Sequence, residues 1–154
     1  MSKELTFLVV LDGSKETFNA LRYAAKRAAR ISGRVALLYT FETLEFSHWK
    51  AVEDIAEIEL RDEAESKIKE YENYVLSFSD KRPKKFIMKG DRVECIIEFL
   101  NANKFISNFV LALSSNKSGD PLINAFTIKQ SDKIKVPITI IPPTLSEEEI
   151  DNLS

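Results

Sequence analysis

Runs of apolar residues alternate with helix-spaced ones along most of the chain. "LTFLVVL" (Leu5 to Leu11) is a continuous run, apolar but for Thr6 and β-branched in its middle, the pattern of a strand covered on both faces. Helical spacing follows. Phe18, Leu21, Ala25, Ala28, Ala29 and Ile31 fall near one stripe, with Arg22, Lys26, Arg27 and Arg30 elsewhere. Gly33 is expected to end this helix in a left-handed conformation. "RVALLYTF" (Arg34 to Phe41) predicts strand two.

A polar connection with His48 and Trp49 leads into a long predicted helix, residues 50 to 78. Its Val52, Ile55, Leu60, Ala64, Ile68, Tyr71 and Val75 recur at three- to five-residue steps. Lys84 to Met88 reads as a short third strand. Asp91 and Glu94 then have the spacing of a capping box, in its Asp variant, ahead of a buried stripe of Val93, Ile96, Ile97 and Leu100. "NFVLALSS" predicts strand four, residues 122 to 131 a weaker helix, and "VPITIIPP" strand five. "TLSEEEIDNLS" reads as an acidic tail with at most a terminal turn. Strands separated by helices pair in parallel through right-handed crossovers, which predicts a doubly wound α/β sandwich. One domain, residues 1 to 143, precedes the tail, residues 144 to 154.

Composition narrows the function classes. The 154 residues suit one domain, with 44% hydrophobic and 30% charged residues. A net charge of -2 gives no basic face, so no nucleic-acid partner is expected. No apolar run approaches the ~20 residues of a membrane span, and none is expected to enter a membrane. The N-terminal apolar run closes on Asp12 without a small-residue cleavage site, which argues against a signal peptide. With Cys95 as the single cysteine, a cytoplasmic location is expected.

The candidate chemistry lies at the strand exits. In doubly wound sheets ligands bind beyond the carboxyl ends of the strands, where the strand order reverses. "DGS" (Asp12, Gly13, Ser14) leaves strand one, and Ser114, Ser115, Asn116, Lys117 and Ser118 leave strand four. Two readings of "DGS" stand: Asp12 accepts hydrogen bonds from a ligand's amino or hydroxyl group, or Gly13 turns the chain and Ser14 caps the helix. The 114 to 118 loop can contact an anion through hydroxyls and an ammonium, or serve as a polar connector. His48 stands alone, Cys95 reads as a small core thiol, and no Cys/His cluster has metal spacing, so neither catalytic nor metal residues are assigned. Strand five lies at an edge without a charged gatekeeper. Val136, Ile138, Thr139, Ile140 and Ile141 would pair with the same strand of a second copy, over roughly four or five residues between flanking prolines.

"FLVVLDGSKETFNALRYAAKRAARISGRVALLYTFE", "KGDRVECIIEFLNANKFISNFVLALSS" and "VPITIIP" together resemble the universal stress protein family over nearly the whole chain. The resemblance implies a three-layer sandwich of the adenine-nucleotide-hydrolase-like kind, with a five-stranded parallel sheet in the order 3-2-1-4-5, and dimerisation through the last strand. It also implies an adenine site: Asp12 matches the acid near the base, and Thr40 lies where the backbone meets it. Nucleotide-binding members carry Gly, two residues, Gly, nine residues, Gly and Ser or Thr after strand four, glycines that let backbone N–H groups approach phosphates. Here Ser114 and Lys117 stand at the first two positions, and the third falls on or near Asn124 or Thr127. Gly119 is the only glycine in that region. The expectation is therefore a homodimeric, non-enzymatic regulatory protein with a degenerate nucleotide site and a regulatory protein partner. No cofactor is required by the residues; ATP or AMP is the candidate, and a slow ATP-hydrolysing member is the alternative.

Overall fold

The computed structural model describes residues 3–43, 50–115 and 121–154. Its sheet has the order β3-β2-β1-β4-β5, with every neighbouring pair parallel. The strands are β1 (Thr6–Leu11), β2 (Arg34–Phe41), β3 (Lys84–Lys89), β4 (Ile106–Ala112) and β5 (Ile138–Ile141). Between them run α1 (Thr17–Arg30), α2 (Lys50–Leu76), α3 (Arg92–Ala102) and α4 (Pro121–Asn124), and α5 (Glu147–Leu153) follows β5. β1 is central and all six of its residues are buried, which is why its sequence does not alternate. Phe7, Val9 and Leu11 pack in the layer of α1 and α2, while Leu8 and Val10 pack in the layer that includes α3 and Phe126. Leu8 is wholly buried, a burial that contributes about 1.5–3 kcal/mol.

Three differences from the expected elements have local causes. α1 ends with Ser32, not Gly33, in the left-handed region (φ 56°), while the Gly33 N–H donates to the Ala28 carbonyl at 2.8 Å. Gly33 is needed for a different reason: a Cβ there would stand 2.5 Å from the Leu5 carbonyl oxygen. β4 begins at Ile106, two residues before the predicted strand, because Ile106 pairs with Thr6 and is itself buried. α4 is a single turn that opens into a π-turn over Ala125–Lys129, closed by the Gln130 N–H on the Ala125 carbonyl.

The acidic tail forms a docked helix rather than a terminal turn. Ser146 and Glu149 make a reciprocal capping box, and Ile150 is fully buried against the α1 layer. Asp151 receives Arg22 Nε at 2.7 Å and Nη2 at 2.9 Å, and Lys26 Nζ at 2.9 Å.

α2 also departs from its expected stripe. Its 27 residues span roughly 40 Å against roughly 26 Å for the eight residues of β2. Glu57 meets Lys89 at 3.1 Å and Arg61 stacks over Phe41, so these residues are level with the ends of β3 and β2. The first two turns stand beyond the sheet, leaving Val52 and Ile55 exposed. Ala64, Ile68, Tyr71 and Val75 are buried as the spacing predicts.

Candidate functional site

The strand order reverses between β1 and β4, and Asp12 is the first residue beyond β1. Gly13 follows in the left-handed region (φ 80°), with open space around it. That turn brings the Ser14 N–H to Asp12 Oδ1 at 2.9 Å and the Ser14 hydroxyl to the same oxygen at 2.7 Å. The Thr17 hydroxyl, from the first residue of α1, also donates to Oδ1. Ser14 therefore does not cap the helix with its side chain. Glu16 occupies the cap position without a side-chain bond, and the first N–H groups use the carbonyls of Ser14, Lys15 and Glu16. The hydroxyls of "DGS" and Thr17 serve the carboxylate instead.

Three donors converge on Oδ1, whereas Oδ2 receives no hydrogen bond among the described residues. Burial pulls the Asp12 pKa upward, but the Ser14 and Thr17 hydroxyls, the Ser14 N–H and the Arg92 charge outweigh it and hold the pKa below the ordinary 3.8. At neutral pH Asp12 is an anchored carboxylate with one oxygen in reserve. Chemically it suits a ligand that donates hydrogen bonds.

Asp12 separates two hollows. The one toward β4, lined by Val10, Ser14, Thr17, Val110, Ala112 and Leu122, holds about 10 Å³, the room of a single water. The one toward β2 holds about 310 Å³, at the lower end of the ligand-pocket range of ~300–1,000 Å³. Its lining is Leu11, Asp12, Gly13, Tyr39, Thr40, Lys67, Glu70, Tyr71 and Arg92. Arg92, the first residue of α3, places Nε 3.4 Å from the Thr40 hydroxyl. Tyr71 is nearly buried and stacks on Phe18, with ring centroids 5.4 Å apart.

The structure thus brings Asp12, Gly13 and Thr40 to one cavity, with Ser14 behind them. Ser114 and Ser115 follow β4 and line neither hollow. Asn116, Lys117, Ser118 and Gly119, like His48 and Trp49, lie outside the described residues. Sequence reasoning missed Tyr39, Lys67, Glu70, Tyr71 and Arg92. Lys67 and Tyr71 are four apart on α2 and share a face, but nothing in the helical pattern shows which turn of a 27-residue helix meets the strand ends. Arg92 carried a better signal, since it follows directly on the "KGD" that leaves β3.

The remaining candidates fall where their chemistry fits. Cys95 is buried, and that burial raises its thiol pKa. Asp91 accepts the Glu94 N–H at 3.0 Å, the first half of the expected capping box. On β5, Ile141 is buried, and Val136 and Ile138 pack partly against the core. Thr139 donates its hydroxyl to Asn108 Oδ1 at 3.0 Å. Ile140 remains 37% exposed on a strand with one neighbour, β4. No described helix is long and apolar enough to cross a membrane.

Comparison with known proteins agrees with this architecture. No curated protein matches the chain in sequence. Universal stress protein UspA from Lactobacillus plantarum superposes with a TM-score of 0.73 at 17% identity, covering 92% of this chain and 99% of that one. A universal stress protein family member from Burkholderia pseudomallei gives 0.66 at 17% identity, covering 92% and 98%. A universal stress protein in complex with cAMP gives 0.62 at 15% identity, covering 91% and 98%. At such identities these likenesses speak for the fold. The model of the universal stress protein family, however, matches residues 5–105 in sequence. That span takes in the Asp12 turn, both central crossovers and α3, and with it this chain belongs to the universal stress protein family.

Proposed function

We propose that the protein is a cytoplasmic, non-enzymatic regulator that binds an adenine nucleoside or nucleotide at Asp12, in the hollow between the ends of β1 and β2. The observation that carries this reading is the state of the Asp12 carboxylate. Oδ1 is saturated by three donors from its own turn and helix, and Oδ2 is left to accept from the exocyclic amine of a base or from a ribose hydroxyl. Thr40 and Tyr39 at the end of β2 supply polar edges, and the Tyr71 ring supplies an apolar face. The complex of a related fold with cAMP supports the same ligand class.

Binding rather than turnover is favoured by the same carboxylate. A general base works best with a pKa near the operating pH, and Asp12 is shifted the other way. Among the described residues the hollow on the β4 side has room for about one water, which disfavours a phosphate chain entering it. AMP is therefore favoured over ATP as the adenine nucleotide. Calorimetric titration of the full chain with adenosine, AMP and ATP tests the reading. Binding of adenosine or AMP that Asp12→Ala removes supports it, and the absence of binding to any of the three contradicts it.

Homodimerisation through β5 belongs to this proposal. The strand offers one open edge with Ile140 exposed, and antiparallel pairing with a second copy would cover both. Ligand-dependent contact with a regulatory protein is the output such a dimer would serve.

A further inference from the structure

The hollow beside Asp12 contains two cations that neither the family's glycine pattern nor the adenine reading uses. Arg92 enters from α3 and Lys67 from α2, and they share the lining with Asp12 and Glu70. Among the described residues, two cations and two carboxylates balance in the lining. Their placement on different elements makes it bipolar.

Arg92 is the cation with capacity to spare. Its Nε–H points to the Thr40 hydroxyl at 3.4 Å, and no carboxylate among the described residues lies within ion-pairing distance of it. Its terminal amino groups make no hydrogen bond among the described residues. Lys67, by contrast, is held at 2.8 Å by Glu63 one turn earlier on its own helix. A guanidinium that lines a cavity and lacks a carboxylate partner is a ready receptor for an oxyanion, because its planar fork matches two oxygens of one phosphoryl group.

We propose that Arg92, assisted by Lys67, binds the phosphoryl group of the ligand, so that this crevice selects an adenosine carrying one phosphoryl group. The inference rests on the adenine reading above and places the anion on the α3 side of Asp12, away from the loop after β4. A volume of about 310 Å³ accommodates a nucleoside with a single phosphoryl group more readily than a triphosphate chain. Charge argues the same way: each further phosphate would add negative charge beside Asp12 and Glu70 with no further cation in the lining among the described residues. A monoester and a cyclic diester share this chemistry.

The test is calorimetric titration of the full chain and of Arg92→Ala, Arg92→Lys and Lys67→Ala with adenosine, AMP, cAMP and ATP, with thermal unfolding of each variant as the folding control. AMP or cAMP should bind the unaltered protein more tightly than adenosine and ATP do. Arg92→Ala should weaken the phosphorylated ligand by roughly 10- to 100-fold while leaving adenosine within about twofold. Arg92→Lys should fall between, and Lys67→Ala should cost less than Arg92→Ala. Equal weakening of adenosine and AMP by Arg92→Ala would mean that Arg92 acts only through Thr40, and would overturn the inference. Adenosine binding that gains nothing from a phosphoryl group would overturn it while leaving the adenine reading intact. Failure of adenosine, AMP and cAMP alike would remove both.

Discussion

An acid, a glycine and a serine at a strand exit suit either a ligand or a turn with a helix cap. The structure removes one part of the second reading: the hydroxyls of Ser14 and Thr17 both donate to Asp12 Oδ1, and neither caps a helix N–H, while Gly13 does turn the chain. Because the Asp12 pKa lies below the ordinary 3.8, ligand affinity that depends on its charge should be flat from pH 5 to pH 8 and fall only as the pH drops below that value. Calorimetry with adenosine, which carries no titrating phosphate, checks it across that range; a midpoint near neutrality would contradict it. Gly33 is a second case in which the residue was legible and its reason was not. Its role is close approach to the Leu5 carbonyl rather than a left-handed backbone. Gly33→Ala should therefore destabilise the fold by about 1–3 kcal/mol in urea unfolding, since the neighbour that must yield is backbone. A neutral substitution would show that the strand can shift without cost.

At the scale of elements, the sequence revealed the strands and helices wherever burial imposes a period. β1 and β2 are buried as their apolar runs predict, whereas the helix stripes are met in part. Leu21, Ala25 and Ala28 of α1 are buried but Ala29 is exposed, and in α3 Ile96 and Leu100 are buried with Cys95 and Phe99, while Val93 and Ile97 are only partly covered. α2 and α5 were misread for opposite reasons. The first turns of α2 carry apolar residues at helical spacing but overhang the sheet, so periodicity there signals helix and not core. α5 shows one apolar anchor, Ile150, in an acidic segment, too little for a periodic signal. Its docking is decided by partners far away in sequence, Arg22 and Lys26 on α1. Ile150→Ala should cost about 2–5 kcal/mol, measured by urea unfolding. Asp151 has its pKa lowered chiefly by the Arg22 hydrogen bonds. A carboxyl whose pKa is lower in the folded state stabilises fully above its unfolded value and loses that contribution as the pH falls through and below it. The α5 contact should thus hold at neutral pH and weaken below about pH 4, and Asp151→Asn should reduce the acid-dependent part of the unfolding profile, leaving the share of the other lowered carboxylates such as Asp12.

The candidate hollow lies at the carboxyl end of the doubly wound sheet, between the ends of β1 and β2 and beside the point where the strand order reverses from β1 to β4. The order 3-2-1-4-5 was implied by family resemblance and is observed. Asp12 could be named from sequence because it closes an easily recognised strand, and Thr40 because the family resemblance points to the end of strand two. The wall made by Lys67, Tyr71 and Arg92 could not, since it depends on how far along α2 and α3 the helices cross the strand ends. Assembly belongs to the same scale. If β5 pairs with its copy, Ile140→Lys should convert a dimer to a monomer in sedimentation equilibrium without a loss of thermal stability in the monomer, as Ile140 is the exposed large apolar side chain of that strand. A monomer before substitution would reject the β5 interface. The most direct measurement for the account as a whole is calorimetric titration of the full chain with AMP, alongside Asp12→Ala. The account predicts saturable one-site binding that disappears in the variant while its unfolding transition remains cooperative; undiminished AMP affinity in Asp12→Ala would contradict it.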